Sequence, residues 1–181
     1  MMKKLLFLIF IVVMAAGCED REAKYEINQF FSLKDFFENE IERLKVGDIR
    51  LEKTAFIGEK KETVILDSVY WPGELRLFID SDINKPAFIT EYDTSSESTP
   101  DGKEIKIYKA KRDDLDTQLL RVIFSEGKVE LIEIVLNDEN MVYDSERKLI
   151  YIPDNGYRIE AQQEVMFSDP ERFKIEAKFI K

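Results

Sequence analysis

The sequence predicts an α+β fold in which a single antiparallel, curved β-meander sheet is packed by one or two helices. Apolar and polar residues alternate along most of the second half of the chain, short turn-like segments separate these runs, and one early segment has helical periodicity. Short connections favour a meander because a parallel crossover requires about a dozen residues or more. An open sheet, a half-barrel and a closed barrel all fit this alternation.

The first 17 residues are predicted to be an export signal. Lys3 and Lys4 precede an unbroken apolar run over residues 5–14, and the small residues 15–17 are typical of a signal-peptidase site. A membrane-spanning helix needs about 20 apolar residues, so this run is too short to be one. We therefore predict cleavage between Gly17 and Cys18.

The only cysteine of the chain, Cys18, directly follows Ala15, Ala16 and Gly17. This arrangement resembles the bacterial lipobox, in which the cysteine sulfur carries a diacylglycerol group and the new amino terminus is acylated. One departure is Ala15, which stands where the typical lipobox has leucine, and an ordinary secretory signal with an incidental thiol is the alternative. The resemblance implies lipidation of Cys18, and two or three acyl chains bind a membrane firmly where one binds only marginally.

Residues 18–28 are predicted to be the lipidated cysteine and a polar tether, and residues 29–181 a single domain. The run Glu19, Asp20, Arg21 and Glu22 resembles the surface-export signal of Bacteroidota lipoproteins. In other Gram-negative bacteria an acidic residue here can favour inner-membrane retention, and a solvated tether is a third explanation. We predict lipid anchorage in the bacterial cell envelope, at the outer membrane, with the leaflet left open.

Composition excludes several classes of chemistry. The 181 residues include no histidine and one cysteine, so histidine-based catalysis, histidine metal sites, internal disulfides and zinc-thiolate clusters are impossible. Removal of residues 1–17 leaves 25 basic and 37 acidic side chains, a net charge of −12. Such a chain repels polyanions, so no nucleic-acid partner is predicted.

Residues 32–45 are the clearest helix. Ser32 is its predicted N-cap, Asp35 completes a variant of the capping box, and Phe31 and Phe36 have the spacing of a hydrophobic staple. Apolar side chains at helical spacing define the face expected to lie on the sheet: Leu33, Phe36, Phe37, Ile41 and Leu44.

The middle of the chain is read as a hairpin, a short helix and a loop. Residues 48–68 alternate around a turn-like segment at 58–61, residues 73–80 form a helix that directs Leu75, Phe78 and Ile79 inward, and a short strand through Phe88 and Ile89 follows Pro86. Residues 93–103 have low complexity and no large apolar side chain. We predict that they form an exposed loop.

Seven candidate strands follow, over residues 104–109, 118–125, 129–137, 141–144, 148–152, 157–167 and 172–180. Turns are predicted at 126–127, 137–140, 144–145, 154–156 and 169–170. In the last two strands one face is expected to be apolar and to carry Tyr157, Ile159, Ala161, Val165, Phe167, Phe173, Ile175, Ala177 and Phe179.

Four segments together carry a family resemblance. They are the lipobox, the early helix beginning Phe31-Ser32-Leu33-Lys34-Asp35, the string Asp82-Ile83-Asn84-Lys85-Pro86-Ala87-Phe88 and the closing segment Pro153-Asp154-Asn155-Gly156-Tyr157. In this combination the chain resembles uncharacterised Bacteroidota-type bacterial lipoproteins. The resemblance implies an envelope location and no established activity.

Residues 80–91 partly match an EF-hand loop. Asp80, Asp82 and Asn84 have the opening spacing and Glu91 stands at the twelfth position, but Lys85 occupies the position that requires glycine. Helix capping and a turn explain the same residues, so calcium is left open. No metal or cofactor is predicted.

Two binding or modification sites are predicted near the proline breaks. Tyr70, Trp71, Phe88 and Tyr92 could line a pocket for sugar rings or acyl chains, or could fasten loops to the sheet. Ser68, in the tripeptide Asp67-Ser68-Val69, resembles a Bacteroidota O-glycosylation acceptor, which requires an exposed hydroxyl.

The predicted function is that of a non-enzymatic, lipid-anchored envelope lipoprotein that binds or scaffolds an envelope protein or glycan partner. Catalysis is not predicted because no catalytic motif stands out from the abundant carboxylates. The alternative is a carrier or chaperone for an apolar ligand, similar in outline to the half-barrel of periplasmic lipoprotein carriers.

Overall fold

The computed structural model describes residues 29–140, 143–165 and 171–181. The predicted export signal, Cys18 and the tether lie outside these residues, as do Phe167 and the turn predicted at 169–170. The elements in chain order are α1 (Leu33–Val46), β1 (Arg50–Ile57), β2 (Lys60–Leu66), α2 (Trp71–Glu74), α3 (Arg76–Asp80), a 3₁₀ turn (Pro86–Phe88), β3 (Tyr92–Ser98), β4 (Glu104–Ala110), β5 (Thr117–Ser125), β6 (Lys128–Asn140), β7 (Tyr143–Ile152), β8 (Gly156–Val165) and β9 (Glu171–Ile180).

All nine strands belong to one open antiparallel sheet, in the order β2-β1-β9-β8-β7-β6-β5-β4-β3. The predicted antiparallel meander is confirmed for β3 to β9. The β1–β2 hairpin lies beside the last strand, with Leu51 opposite Phe179, so the sheet is not a simple meander from end to end. Strands β2 and β3 form the two edges, and the fold of the described residues is mostly β rather than an even mixture of helix and sheet.

Helix α1 begins as the sequence predicts. The Ser32 side chain accepts a hydrogen bond from the Asp35 backbone N–H at 3.1 Å, and the rings of Phe31 and Phe36 lie 5.7 Å apart. Both the cap and the staple are therefore confirmed. The helix buries Glu40 together with its apolar face, which the sequence does not predict.

The predicted exposed loop over residues 93–103 is wrong in its first half, where the chain forms strand β3. This edge strand pairs with β4 through its backbone, and its serine, threonine and acidic side chains are exposed on both faces. It lacks the apolar alternation by which a strand is recognised in the sequence, because neither face of it is buried beyond Tyr92. Only residues 99–103 form a turn between strands.

The turns predicted at 137–140 and 144–145 are also wrong, because those residues continue strands β6 and β7. Asn137 pairs with Glu146, Asp138 with Ser145 and Glu139 with Asp144. The backbone ladder therefore extends through polar residues whose composition is typical of turns. Turns are confirmed at Glu126-Gly127 and at Asp154-Asn155-Gly156, where a side chain at Gly156 would clash with the Ala177 carbonyl oxygen.

Two smaller predictions between the hairpin and β3 also change. The predicted helix over 73–80 is two short helices that begin at Trp71, where Pro72 fits a first helical turn. Phe88 belongs to a 3₁₀ turn rather than to a strand.

The sheet has an inner face, which we define as the face against which the helices pack, and an outer face. Tyr151 is fully buried on the inner face against Phe37 of α1 at 4.9 Å and Phe78 of α3 at 5.9 Å. Side chains alternate between the faces along each strand, so Leu149 shares the inner face while Lys148 and Ile150 lie on the outer face. The largest fully buried side chains are Tyr151, Phe37, Phe78, Leu33, Leu44, Leu51, Leu75, Ile83, Leu120, Ile132, Ile134 and Leu149.

Candidate functional site

A buried carboxylate fastens α1 to the sheet. Glu40 accepts a hydrogen bond from the Tyr151 hydroxyl at 2.6 Å, and Arg43 donates to the same carboxylate at 2.8 and 2.9 Å. Arg43 also donates to Asp154 at 2.6 Å. Burial and the hydrogen bond to Glu40 raise the pKa of the Tyr151 hydroxyl far above its usual range. Each polar group of this contact therefore has a partner.

A second, similar contact fastens α2 to the neighbouring strand. Glu74 accepts hydrogen bonds from the Tyr157 hydroxyl and from Lys53, the latter at 2.6 Å. Burial and the bond to Glu74 raise the pKa of Tyr157 well above its usual range. Tyr157 lies directly opposite Tyr151, so the two tyrosine–carboxylate–cation contacts are adjacent on the inner face.

Past the Lys53–Glu74 contact, strands β1, β8 and β9 continue beyond α2. We call this region of the inner face the open end. Its side chains are Ala55, Ile57, Ile159, Ala161, Phe173 and Ile175. Five of these side chains are half-buried, whereas Ile57 is 57% exposed. Fully buried residues of the same face lie under the helices, so the open end is apolar surface that the described helices leave uncovered.

Register places one straight row across the open end. Arg147 of β7 is opposite Ala161, Ala161 is opposite Phe173, Phe173 is opposite Ile57, and Ile57 is opposite Lys60. The row therefore has a basic side chain at each end and three apolar side chains between them. We call it the apolar row.

Among the described residues of the inner face, Arg147 is the one basic side chain with a buried, unsatisfied group. Its Nε is shielded from solvent and has no hydrogen-bond partner in the described structure. Its opposite neighbours are Leu136 and Ala161, both apolar. The adjacent residue Lys148 points to the outer face and donates to Glu133 at 2.6 Å. Arg147 thus differs from Arg43 and Lys53, whose carboxylate partners come from the helices.

The four aromatic residues of the predicted pocket occupy different places. Trp71 is buried against Phe179 at 5.6 Å, next to β9, whereas Tyr92 begins the edge strand β3 and packs on Phe88 at 6.1 Å. Tyr70 is 78% exposed. Burial raises the pKa of Tyr92 to about 12, and its hydroxyl donates to the Thr117 carbonyl oxygen at 2.8 Å. Within the described residues Trp71, Phe88 and Tyr92 pack against neighbouring aromatic rings while Tyr70 is exposed, and the four side chains are not grouped around one cavity.

The residues of the partial EF-hand match hold the start of α1. Asp82 accepts hydrogen bonds from the backbone N–H groups of Lys34 at 2.7 Å and Asn84 at 2.6 Å. The Asn84 side chain accepts from the Phe30 N–H and donates to the Phe31 carbonyl oxygen. No group of three or more potential metal ligands occurs in the part of the chain that the structure describes.

Ser68 is exposed in the connection between β2 and α2, as a glycan acceptor requires. Cavities among the described residues include ones of about 520, 360 and 330 Å³. The first two open on the outer face, where Lys178 and Arg172 respectively contribute to their linings. The third lies at the C-terminal end of α1, beside Arg43 and Asp154.

Comparison with protein-family models, with curated proteins and with solved structures gives no match. Among the described helices, none has the length and apolar composition needed to cross a membrane.

Sequence analysis places Ala161 and Phe173 on the apolar face but misses Arg147. The predicted turn at 144–145 separates Arg147 from any strand, whereas β7 is continuous and directs this side chain inward. Arg147 is two residues before Leu149 in the sequence. Because side chains two residues apart on a strand lie on the same face, this spacing could have placed Arg147 on the inner face.

Proposed function

We propose that this chain is a lipid-anchored cell-envelope protein, attached through Cys18, whose open end holds the apolar chain of a small amphiphile. The observation that carries the proposal is the apolar row, in which Ala161, Phe173 and Ile57 lie side by side on neighbouring strands and are not covered by the described helices. Holding a chain there is a binding function and requires no catalytic group. It corresponds to a carrier, with the lipid anchor confining it at the outer membrane.

The row has the dimensions of an acyl chain. Four inter-strand gaps separate Arg147 on β7 from Lys60 on β2, and at about 4.8 Å per gap the row is roughly 19 Å long. An extended chain of about 15 carbons has a similar length. Burying a methylene completely contributes about 0.8 kcal/mol, so each methylene that packs against the row adds a part of this amount to binding.

An uncharged fluorescent probe, N-phenyl-1-naphthylamine, tests the proposed chain site in delipidated protein. We expect its fluorescence to rise on binding and to be reversed by 1-dodecanol. Ile57→Lys should abolish the response because it places a charge in the row. Ile65→Lys is the matched control, since Ile65 is 56% exposed against 57% for Ile57 and lies on the outer face.

Equal loss of probe binding in both variants, or no binding by the wild-type chain, would contradict the chain site. Native mass spectrometry of protein purified from its host gives an independent measurement. We expect a retained amphiphile in the wild-type chain and less of it in Ile57→Lys.

Attachment through Cys18 is tested in cells. Wild-type protein should fractionate with the envelope membrane and carry acyl groups on the first residue of the mature chain. Cys18→Ser should leave the membrane fraction because the tether would then carry no acyl chain. Membrane retention of Cys18→Ser would contradict the anchor.

The outer face favours a second candidate function, binding of an envelope protein or glycan partner. Arg172 and Lys178 line cavities that open on this face and form no ion pair with the described residues. Both can donate hydrogen bonds to sugar oxygens, and nearby carboxylates can accept them from sugar hydroxyl groups, so an uncharged envelope glycan fits best. Binding of purified envelope glycan should weaken in the variant Arg172→Glu/Lys178→Glu. If an oligonucleotide binds the wild-type chain as tightly as the glycan does, the binding is nonspecific charge attraction and the glycan function is contradicted.

A further inference from the structure

We infer that the amphiphile of the proposed chain site carries an anionic group, a carboxylate or a phosphate, that pairs with Arg147. This inference rests on the proposed function and names the chemical class of the ligand. Its starting point is the buried Nε of Arg147, which lacks a hydrogen-bond partner in the described structure.

An unpaired buried guanidinium donor is costly. Burial removes the hydrogen bonds that water would provide, and most buried polar groups in folded proteins therefore have a partner. Other basic side chains on this face follow that rule: Arg43 pairs with Glu40, Lys53 with Glu74 and Lys106 with Glu104. Arg147 is the exception at the place where the inner face is uncovered.

The described chain supplies no anion for Arg147. Glu40 and Glu74 are held by tyrosine hydroxyls, and Glu133 lies on the outer face between Arg121 and Lys148. Asp138 and Glu171 share the inner face, opposite Ser145 and Gln163 respectively, but both are exposed and neither forms an ion pair with Arg147. An external anion is the remaining partner among the described groups.

The surroundings of Arg147 fit an anionic headgroup at the end of an apolar chain. Ser145 and Gln163 lie opposite each other on the same face, one position further along β7 and β8. Their hydroxyl and amide groups are neutral donors that an anion accepts. The apolar row begins at Ala161, directly opposite Arg147 on β8, so a chain lying in the row starts beside the proposed headgroup position.

Lys60 ends the same row at the edge strand β2. It is exposed, so solvent and salt weaken its attraction for an anion. Arg147 is half-buried with its Nε shielded from solvent, and its planar guanidinium can form two parallel hydrogen bonds with a carboxylate or phosphate. We therefore assign the headgroup to Arg147 and use Lys60 as the control.

The experiment compares three ligands of equal chain length in the delipidated full-length chain: dodecanoate, dodecyl phosphate and 1-dodecanol, each measured by displacement of N-phenyl-1-naphthylamine. We expect at least one anionic ligand to bind about tenfold or more tightly than the alcohol, in keeping with a charge-assisted bidentate pair. Arg147→Met should reduce that ratio to below about twofold. Lys60→Met should leave it unchanged.

The outcomes separate the two proposals. If no ligand displaces the probe, the chain site itself fails. If the alcohol binds as tightly as both anions, or if Arg147→Met keeps the preference, the chain site stands and the anionic headgroup is overturned. A preference for dodecanoate or for dodecyl phosphate identifies which of the two anions the site takes.

Thermal unfolding without ligand tests whether Arg147 has a purely structural role. Arg147→Met removes the unsatisfied donor and keeps an unbranched apolar stem, so the midpoint of thermal unfolding without ligand should stay equal or rise. The upward shift of that midpoint caused by dodecanoate should disappear. A large fall in the ligand-free midpoint would show that Arg147 serves the fold instead, and would overturn the inference.

Discussion

The covered part of the inner face and its open end use basic side chains differently. In the part covered by α1 and α2, Arg43 and Lys53 each contact a carboxylate that also accepts a hydrogen bond from a tyrosine hydroxyl. At the open end Arg147 has no such partner among the described residues, and the neighbouring apolar side chains stay half-buried. Helix packing therefore satisfies one part of this face, and the difference supports our proposal that the other part binds a ligand.

The largest expected effect contrasts two phenylalanines. Phe37→Ala should destabilise the fold by about 3–5 kcal/mol, since Phe37 is fully buried between Tyr151 and Phe78. Phe173→Ala at the open end should cost less than about 1.5 kcal/mol, because its ring is only half-buried. Urea unfolding measures both. Equal costs would mean that the open end is as tightly packed as the covered part.

A second contrast removes one cation from each region. Lys53→Met leaves Glu74 without its cation and should cost about 2 kcal/mol, below the 3–5 typical of a fully buried pair because Lys53 is 29% exposed. Arg147→Met should cost nothing measurable. The same urea titrations measure both variants. A larger loss of the free energy of unfolding in Arg147→Met than in Lys53→Met would contradict the difference between the two regions.

The covered part should also make the fold sensitive to alkali. Burial raises the folded-state pKa of Tyr151 and Tyr157 above that of an unfolded tyrosine, about 10. Their contribution is therefore fully present below pH 10 and is lost as the pH rises above it, since the unfolded chain releases these protons first. We expect the free energy of unfolding to fall continuously as the pH rises from about 10.

The matched variant is Tyr151→Phe/Tyr157→Phe. Each substitution should cost about 1.5–2 kcal/mol at neutral pH, because each removes a hydrogen bond to a carboxylate. The alkaline decline should become shallower in the double variant. An unchanged decline would assign the alkaline sensitivity to other groups, such as Tyr92.

The smallest effect concerns the start of α1. Ser32→Ala should cost about 1 kcal/mol because it removes the cap on Asp35. Probe affinity at the open end should stay the same, since the cap lies within the covered part. A loss of probe binding out of proportion to this destabilisation would show that the two parts are coupled.

The sequence predicts the helices and strands that have one buried, apolar face and one exposed, polar face. Helix α1 is recognisable from its cap and apolar spacing, and strands β4, β5, β8 and β9 from their alternation. Strand β3 and the ends of β6 and β7 escape prediction because their side chains are polar on both faces, and only backbone pairing with the neighbouring strand holds them extended.

The candidate site is predictable only in part for the same reason. Ala161 and Phe173 follow from alternation, but their alignment with Ile57 depends on β1 pairing with β9, a contact between segments over 100 residues apart. The position of Arg147 on the inner face depends on β7 being one continuous strand. No local pattern specifies that the helices stop before they cover these residues.

Arginine side-chain NMR tests the central claim most directly. In ¹⁵N-labelled protein the Arg147 Nε–Hε signal can be assigned by its absence in Arg147→Met. We predict that dodecanoate or dodecyl phosphate moves this signal downfield as the Nε–H donates to the anion, while 1-dodecanol leaves it in place. A signal that stays unmoved at saturating concentrations of both anionic ligands would contradict the account.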